Sequence, residues 1–333
     1  MDKNTIDSGK PLSAEQLEEF CQSFSVPYKL TSRMSYWTTE VYGLGKFIRK
    51  YGYYPKWLPL CVYTDHGPRE HKPSKYELES SAPVQMYHSP NSVKHWKKVS
   101  DKPCYCYLSP FVYYRRTNGI SVDQNAKGTI AFPAHTTPAI DDISDIQTYI
   151  DDLQKLPEEF QPVSVCLHMH DINKGVHNKF IAAGFPVYTA GHASDYDYIE
   201  RFYSIIKQFK YGTSNTFGSY IFYCIELGIP FSIIGAKQKF INKSDPNVVI
   251  GEYDPYKECM HYREASDLFA GINTVINQNQ REYVNFHLGL KDTISRKKMA
   301  AVLYYALLRN IFSMEWITRA IKWAGKKWRR NAG

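Results

Sequence analysis

The stretch YGTSNTFGSYIFYCIELGIPFSIIG, Tyr211 to Gly235, decides how the chain folds. It reads as a short strand KYGT (210–213), a polar Ser-Asn turn, a helix TFGSYIFYCIELG and a second strand IPFSIIG (229–235). A helix of that length between two short apolar runs is the repeating unit of a parallel sheet. The hydroxyl-rich helix start has two readings. Ser, Thr and Asn are the preferred N-cap residues. The N–H groups of a first helical turn also lack intrahelical partners and sit at the positive end of the dipole, so they bind phosphate.

The same alternation extends in both directions. Upstream lie the apolar runs GTIAFPA (128–134), VSVCLH (163–168) and FPVYTA (185–190), separated by the helical segments ISDIQTYIDDLQKL, INKGVHNKFIAAG and DYDYIERFYSIIKQF. Residues 125–290 therefore read as one doubly wound α/β domain with right-handed crossovers. Residues 20–124 read as a smaller, tyrosine-rich α/β domain. Here YWTTEVYGLGKFIRKYG is expected to be a helix, WLPLCVYT (57–64) a buried strand, HWKKV a short helix and CYCYLSPFVYY (104–114) another strand. TNGISVDQNAKG (117–128) is a connector. Residues 1–19 form a polar N-terminal segment. After residue 262, EASDLFAGINTVINQ and SRKKMAAVLYYALLRNIF read as helices, and residues 291–333 are C-terminal helices.

Composition bounds the function. At 333 residues and 43% hydrophobic content the chain can bury two cores of ordinary size. Seven cysteines without paired CxxC units argue against a disulfide framework and a structural zinc site. The start MDKNTIDSGKPLSAEQLEEF lacks the apolar core of a secretory signal, so a cytoplasmic location is expected. Of the formal net charge of +8, much sits between Trp316 and the C-terminus, where six Lys/Arg meet no carboxylate. The rest is only slightly basic, and nucleic acid is not an expected partner. In ITRAIKWAGKKWRR an apolar face opposes a cationic one. It suits either an anionic inner-membrane surface or packing against the protein body. MAAVLYYALL is too short to span a bilayer, so peripheral attachment is the expectation.

In an open parallel sheet, ligands bind beyond the carboxyl ends of the strands. The residues following the expected strands are His135-Thr136-Thr137, then His168, His170 and Asp171, then Gly191-His192, then Ser214-Asn215. In the N-terminal half, Asp65-His66-Gly67 follows WLPLCVYT. Histidines, hydroxyls and glycines collected on one edge suit a nucleotide phosphate.

On these residues the chain resembles the GT-B glycosyltransferases. The Tyr211–Gly235 segment is similar to their nucleotide-binding portion, above all in transferases that build bacterial surface polysaccharides, lipopolysaccharide or capsule. Ser214-Asn215 resembles the Ser/Thr pair that contacts the donor phosphate in sialyltransferase-like and Kdo-transferase-like enzymes. Asp65-His66-Gly67 resembles their catalytic triplet, and also the His-Gly of glycerol-phosphate polymerases. FPAHTTP is similar to a His-Pro motif that holds the nucleotide, with Thr136 in place of the proline. The ribose-clamping glutamate of many such enzymes is replaced here by Tyr223, with Glu226 nearby.

The resemblance implies two Rossmann-like lobes with a cleft between them and C-terminal helices. The implied enzyme is metal-independent, needs no cofactor and transfers a sugar from a nucleotide-activated donor to a lipopolysaccharide, capsule or lipid-linked glycan. A CMP-linked acidic sugar is the donor it favours. Asp65 is implied as the base, with His66 as second choice. His135, Thr136, Ser214, Asn215, Thr216, Gly218 and Ser219 are implied for the nucleotide and its phosphate. His168, His170, Asp171, His192 and Glu226 are left for the donor sugar or base.

Other readings stay open. LHMHD with His192 and His135 has the ligand types of a metal-dependent hydrolase, since His168 and His170 share a face if they lie on a strand. Asp195-Tyr196-Asp197 has the D-x-D spelling of metal-dependent transferases, but acidic residues also favour a first helical turn. A glycerol-phosphate-type transferase is the third alternative. The tail carries its own test: deleting the residues after 312 is expected to release the protein from anionic vesicles in a co-sedimentation assay, and unchanged binding refutes the membrane role.

Overall fold

The computed structural model describes residues 9–22, 36–68, 72–235, 238–245 and 249–313. The basic tail therefore lies outside the described residues. Two parallel sheets organise the rest. In the first lobe, β1 (Val62–Thr64), β2 (Val84–Tyr87) and β3 (Cys104–Cys106) pair in that order, all parallel. In the second lobe, β4 (Thr129–Ala131), β6 (Val163–Cys166), β7 (Val187–Tyr188), β8 (Tyr211–Ser214) and β9 (Phe231–Ile233) form a five-stranded parallel sheet in the order β7-β6-β4-β8-β9. A small antiparallel sheet, unforeseen in the sequence, joins β5 (Ile140–Asp142), β10 (Phe240–Asn242) and β11 (Gly251–Tyr253). The α/β class with two such lobes is the one expected.

Helices form where the residue pattern and caps agree. Ser219–Leu227, buried over most of its length from Ile221 onward, ends on Gly228 at φ 106, a left-handed position glycine adopts freely. Arg296–Ile311 starts at Ser295, whose hydroxyl accepts from the Lys298 amide. Three expectations fail for identifiable reasons. EASDLFAGINTVINQ is helical only as far as Leu268, after which the chain turns through Gly271 at φ 75 and the next helix starts at Gln278. CYCYLSPFVYY is a strand only over Cys104–Cys106, then a helix, Pro110–Thr117; the Ser109-Pro110 pair is a helix start, with proline where its missing N–H costs nothing. The supposed single helix 36–52 is broken into Trp37–Glu40, a 3₁₀ turn Val41–Gly43 and Leu44–Tyr51, because Tyr42 stands at φ 57. Strand β2 was also missed.

The lobes are joined by elements that cross between them. Helix Pro110–Thr117 lies against the second lobe: Phe111 stacks on Tyr223 with centroids 4.1 Å apart, and Glu226 takes Arg115 at 2.5 Å and Arg116 at 3.1 Å. Helix Arg296–Ile311 returns to the first lobe, where Arg296 donates to the carbonyls of Tyr51 and Lys50 and Asn310 reaches Cys61. Helix Ala14–Cys21 docks on the second lobe, its approach fixed by the Leu12 amide on the Val187 carbonyl. No helix among the described residues is long and apolar enough to cross a membrane.

Glu226 is nearly enclosed, with 3% of its side chain exposed. Glu226→Ala leaves Arg115 half-buried without its carboxylate and is expected to cost about 3 kcal/mol, the low end for a broken buried pair. Denaturant titration with both lobes' probes checks it; a loss within experimental error removes the ion pair as a lobe fastener.

Candidate active site

Strand β4 is the centre of the second sheet. The chain leaves it toward β6 and β7 on one side and returns through β8 to β9 on the other, so β4 and β8 flank the point where strand order reverses. A crevice opens there, at the strands' carboxyl ends. Its construction explains the Ser-Asn turn. Ser214 donates its hydroxyl to the Phe132 carbonyl at 2.6 Å and accepts the Thr216 amide at 3.0 Å, while Asn215 Oδ1 accepts the Ala134 amide at 2.9 Å. Thr216 bonds the Tyr262 hydroxyl. These side chains satisfy backbone groups at the two strand ends and hold the following loops apart; Ser214 is fully buried. They shape the crevice rather than face into it.

What faces in is the start of helix Ser219–Leu227. Gly218, its N-cap, makes no side-chain cap bond, and Gly218, Ser219 and Tyr220 line a cavity of about 410 Å³. A Cβ on Gly218 would stand 2.6 Å from the Tyr220 ring. Glycine lets that ring fold back so that its hydroxyl meets Ser214 at 2.7 Å. The helix N-terminus is thereby left open to the cavity. The walls are aromatic, including Tyr42, Phe111, Phe132 and Tyr223, with His66, His135 and His168 among the polar groups.

Three second-lobe histidines cluster, His135 stacked on His168 and His170 tilted against it. The His135 and His168 rings lie 4.7 Å apart and those of His168 and His170 4.8 Å apart. His168 is not on β6, as the sequence suggested, but is the N-cap of helix Met169–Asn173, with its Nδ1 accepting the His170 amide. A neutral ring must then carry its proton on Nε2, which meets the Tyr42 hydroxyl at 3.3 Å. Burial, then the neighbouring His135, His170 and His192, hold its pKa well below the ordinary 6.5. His170 is lowered by burial first and then by His135, Lys174 and His192. Burial also pushes the Tyr42 hydroxyl up to about 12. The left-handed backbone of Tyr42, noted above, is what aims this side chain at the imidazole.

Asp171 and His192 support the loops. The Thr136 amide and hydroxyl both donate to Asp171 Oδ1, at 3.1 and 2.9 Å, fixing the loop that presents the exposed His135. Burial raises the Asp171 pKa against those bonds. His192 Nδ1 accepts the Ser194 amide in its own turn.

At the end of β1 the structure separates two neighbours. Asp65 is enclosed. Its Oδ2 accepts the His88 amide at 3.1 Å, its Oδ1 lies 2.6 Å from His88 Nδ1, both side chains are wholly buried, and the Tyr107 hydroxyl donates to its carbonyl. With its carboxylate turned to His88, Asp65 presents no exposed carboxylate, although the residue forms part of the wall of a cavity on the first lobe. His66, next in sequence, lines the 410 Å³ cavity and also a second one of about 1190 Å³ on the first lobe. The turn abuts the other lobe: a Cβ on Gly67 would lie 3.3 Å from the Ser219 Cβ. The two ends of the chain's halves thus meet at one crevice.

Glu226 is away from it, engaged with Arg115 and Arg116 as described. In the D-x-D spelling, Asp195 is paired with Arg201, and Asp197 with Lys46 at 2.7 Å. Among the described residues, no three His, Cys, Asp or Glu side chains are disposed to hold a metal ion. Sequence reasoning missed Tyr42, His88 and Tyr262. His88 had a signal: VQMYHSP repeats the strand-His-turn-Pro spelling of VYTDHGP.

No protein-family model matches the chain, and no curated protein matches it in sequence. Solved structures similar to it include the wall teichoic acid polymerase TagF with CDPG, at 11% identity and a TM-score of 0.37 over 78% of this chain and 71% of that one. The UDP-GlcNAc 2-epimerase of Neisseria meningitidis bound to UDP-GlcNAc matches at 9% identity and TM-score 0.34, over 68% of this chain and 62% of that one. A protein assigned as a UDP-N-acetylglucosamine 2-epimerase from Listeria monocytogenes matches at 10% and 0.34, over 69% of this chain; the chain spans 58% of its length.

The lowered histidines predict a pH dependence. Above pH 6.5 folded and unfolded chains are equally unprotonated at His168; below it the unfolded chain takes a proton that the folded one refuses, so stability falls as pH falls. His170 works in the same direction. The denaturation midpoint is expected to drop between about pH 7.5 and pH 5.5, and less steeply in His168→Gln. Equal slopes in the two proteins contradict the burial of a neutral imidazole.

Proposed function

We propose that this protein is a transferase that moves a group from a nucleotide-activated donor to an acceptor hydroxyl, with the donor in the 410 Å³ cavity and the acceptor in the 1190 Å³ one. The observation that carries the reading is His66, a half-buried imidazole on the wall shared by the two cavities and facing an uncapped helix N-terminus. The open first-turn amides suit a phosphate, and the aromatic walls suit a base or a sugar face. In sugar transfer, the acceptor hydroxyl gives its proton to His66 while its oxygen bonds the sugar's anomeric carbon. The carbon–oxygen bond to phosphate breaks, and its electron pair leaves on the nucleotide diphosphate, or monophosphate for a CMP-linked sugar, against the amides of Ser219 and Tyr220. Asp65 acts through the backbone, locking the turn that presents His66. A bacterial surface glycan or lipid-linked acceptor, and a CMP-linked acidic sugar as donor, are the substrates that the sequence resemblance favours.

A second reading is supported by the imidazole facing the crevice where the carboxylate does not, which fits the His-Gly likeness to glycerol-phosphate polymerases. There the acceptor oxygen attacks phosphorus of a CDP-polyol, and CMP leaves. The product distinguishes the two, because CMP leaves from a CMP-linked sugar and from a CDP-polyol alike: the acceptor gains a sugar and no phosphorus in the first reading, and a polyol phosphate in the second.

Thermal shift against CMP, CDP, UDP and GDP identifies the nucleotide, because a ligand bound only by the folded state raises the midpoint. His66→Ala is expected to keep that shift and lose roughly 10²–10⁴-fold in transfer rate. Gly218→Ala is expected to lose the shift. Full transfer by His66→Ala would reject the assignment of the base.

A further inference from the structure

The 1190 Å³ cavity is built mostly by the first lobe, with Thr64, Asp65 and His66 in its wall, and Thr137 and Asp245 contributed by the second lobe. Its walls carry aromatic rings that the fold leaves in water. Trp37 is 59% exposed and Tyr76 54%. Single exposed apolar side chains are ordinary on a protein surface, but these two share one cavity with Tyr36 and Tyr63, whose rings lie 5.7 Å apart. Trp37 also stands beside the proposed base: its ring centroid is 5.8 Å from that of His66, with the planes inclined at 60°.

We propose that this cavity binds an uncharged saccharide and that one pyranose ring lies on the face of Trp37. The proposal rests on the transferase reading for its role as acceptor, though the binding itself does not. Two observations select the chemistry. The first is shape and polarity. A pyranose presents C–H groups on its face and hydroxyls around its rim, and the face of an indole is the negative side of its quadrupole, so the C–H face settles on it. A ring placed there has its rim hydroxyls beside the His66 imidazole, the geometry a proton transfer requires.

The second is charge. Among the described residues lining the cavity, the charged side chains are Lys72 and Lys75 against Asp65, Glu77, Glu79 and Asp245. Lys75 is within 3.8 Å of Glu79, and Glu77 is committed to the Ser74 amide in a capping box. Among these described residues no surplus of cations is left for a chain of carboxylates or phosphates. An anionic polymer entering here would meet more acidic than basic groups, and a like-charge contact of that kind selects against it. Trp37 is placed for this by the short helix Trp37–Glu40, whose Thr39 hydroxyl donates to the Val62 carbonyl at 2.8 Å and so ties the indole to the start of β1.

The test uses the full chain and four probes: maltotriose, cellotriose and chitotriose as neutral trisaccharides, and trigalacturonate as the charged counterpart, with binding read by saturation-transfer NMR and calorimetry. At least one neutral trisaccharide is expected to bind, with ring C–H protons receiving the transferred saturation. Trp37→Ala is expected to weaken that binding tenfold or more, and Trp37→Tyr to hold it within threefold. Trp57→Ala, which removes an indole that is 73% exposed and does not line the cavity, is expected to leave it unchanged. Trigalacturonate is expected to bind at least tenfold more weakly. The nucleotide thermal shift should be the same in all variants.

Three results overturn the proposal: no binding of any neutral probe, neutral binding that survives Trp37→Ala, or tighter binding of trigalacturonate. Saccharide binding that depends on Trp37, in a protein that neither binds nor turns over a nucleotide, would refute the transferase reading and leave the saccharide site standing.

Discussion

The carboxyl ends of β4 and β8 lie side by side inside the second lobe, and the backbone groups there have to be satisfied without water. Their chains turn opposite ways, so no regular ladder continues between them. Ser214 and Asn215 supply the missing partners, on the Phe132 carbonyl and the Ala134 amide. From this follows the rest of the crevice: the β4 loop is held outward with His135 at its tip, and the β8 loop turns through Thr216 and Phe217 into an uncapped helix. The aromatic crowding around it, such as Phe132 stacked on Tyr220 at 4.7 Å, fills the space behind. The crevice is a consequence of strand order stabilised by two polar side chains.

The same reasoning separates the roles within the first lobe. Asp65 and His66 are adjacent in sequence, yet one is sealed under the sheet end and the other is on the cavity wall. A buried carboxylate needs partners at short range, and His88 from the next strand provides two contacts to it. Tyr107, from the third strand, takes the carbonyl. Each strand of the small sheet thus contributes one group to a knot beneath the turn, and the turn delivers His66.

The second lobe was legible because its signals are local and redundant. Five short apolar runs alternated with helical segments, and the parallel order follows from that pattern. The placement of hydroxyls and histidines at the strand ends was legible too. Which way each of them pointed was not. Ser214 and Glu226 carry the chemistry of a phosphate contact and a ribose clamp, but a hydroxyl or carboxylate serves equally to satisfy a backbone or an arginine. Only the tertiary arrangement decides between those uses. In the first lobe the strands are three or four residues long, too short for a period to stand out, and Val84–Tyr87 buries both faces, the polar Gln85 included. The break at Tyr42 was hidden for a similar reason: its neighbours on both sides read as helix, and the one cue was Gly43.

The chain's crossings between the lobes have a consequence for synthesis. The inner side of Leu44–Tyr51 is closed by Met299 and Leu303, which a Cβ on Gly52 would strike at 2.9 and 2.8 Å, and Tyr54 packs on Tyr304. These partners lie about 250 residues further along the chain than the helix they cover. At ordinary elongation rates they arrive on the order of tens of seconds after that helix. The first lobe therefore waits, with an apolar helix face open, while the second is made, and reaches its finished packing only after residues 299–304 have emerged. A nascent chain stalled between the two stages would be a natural client for chaperones that recognise exposed apolar helices.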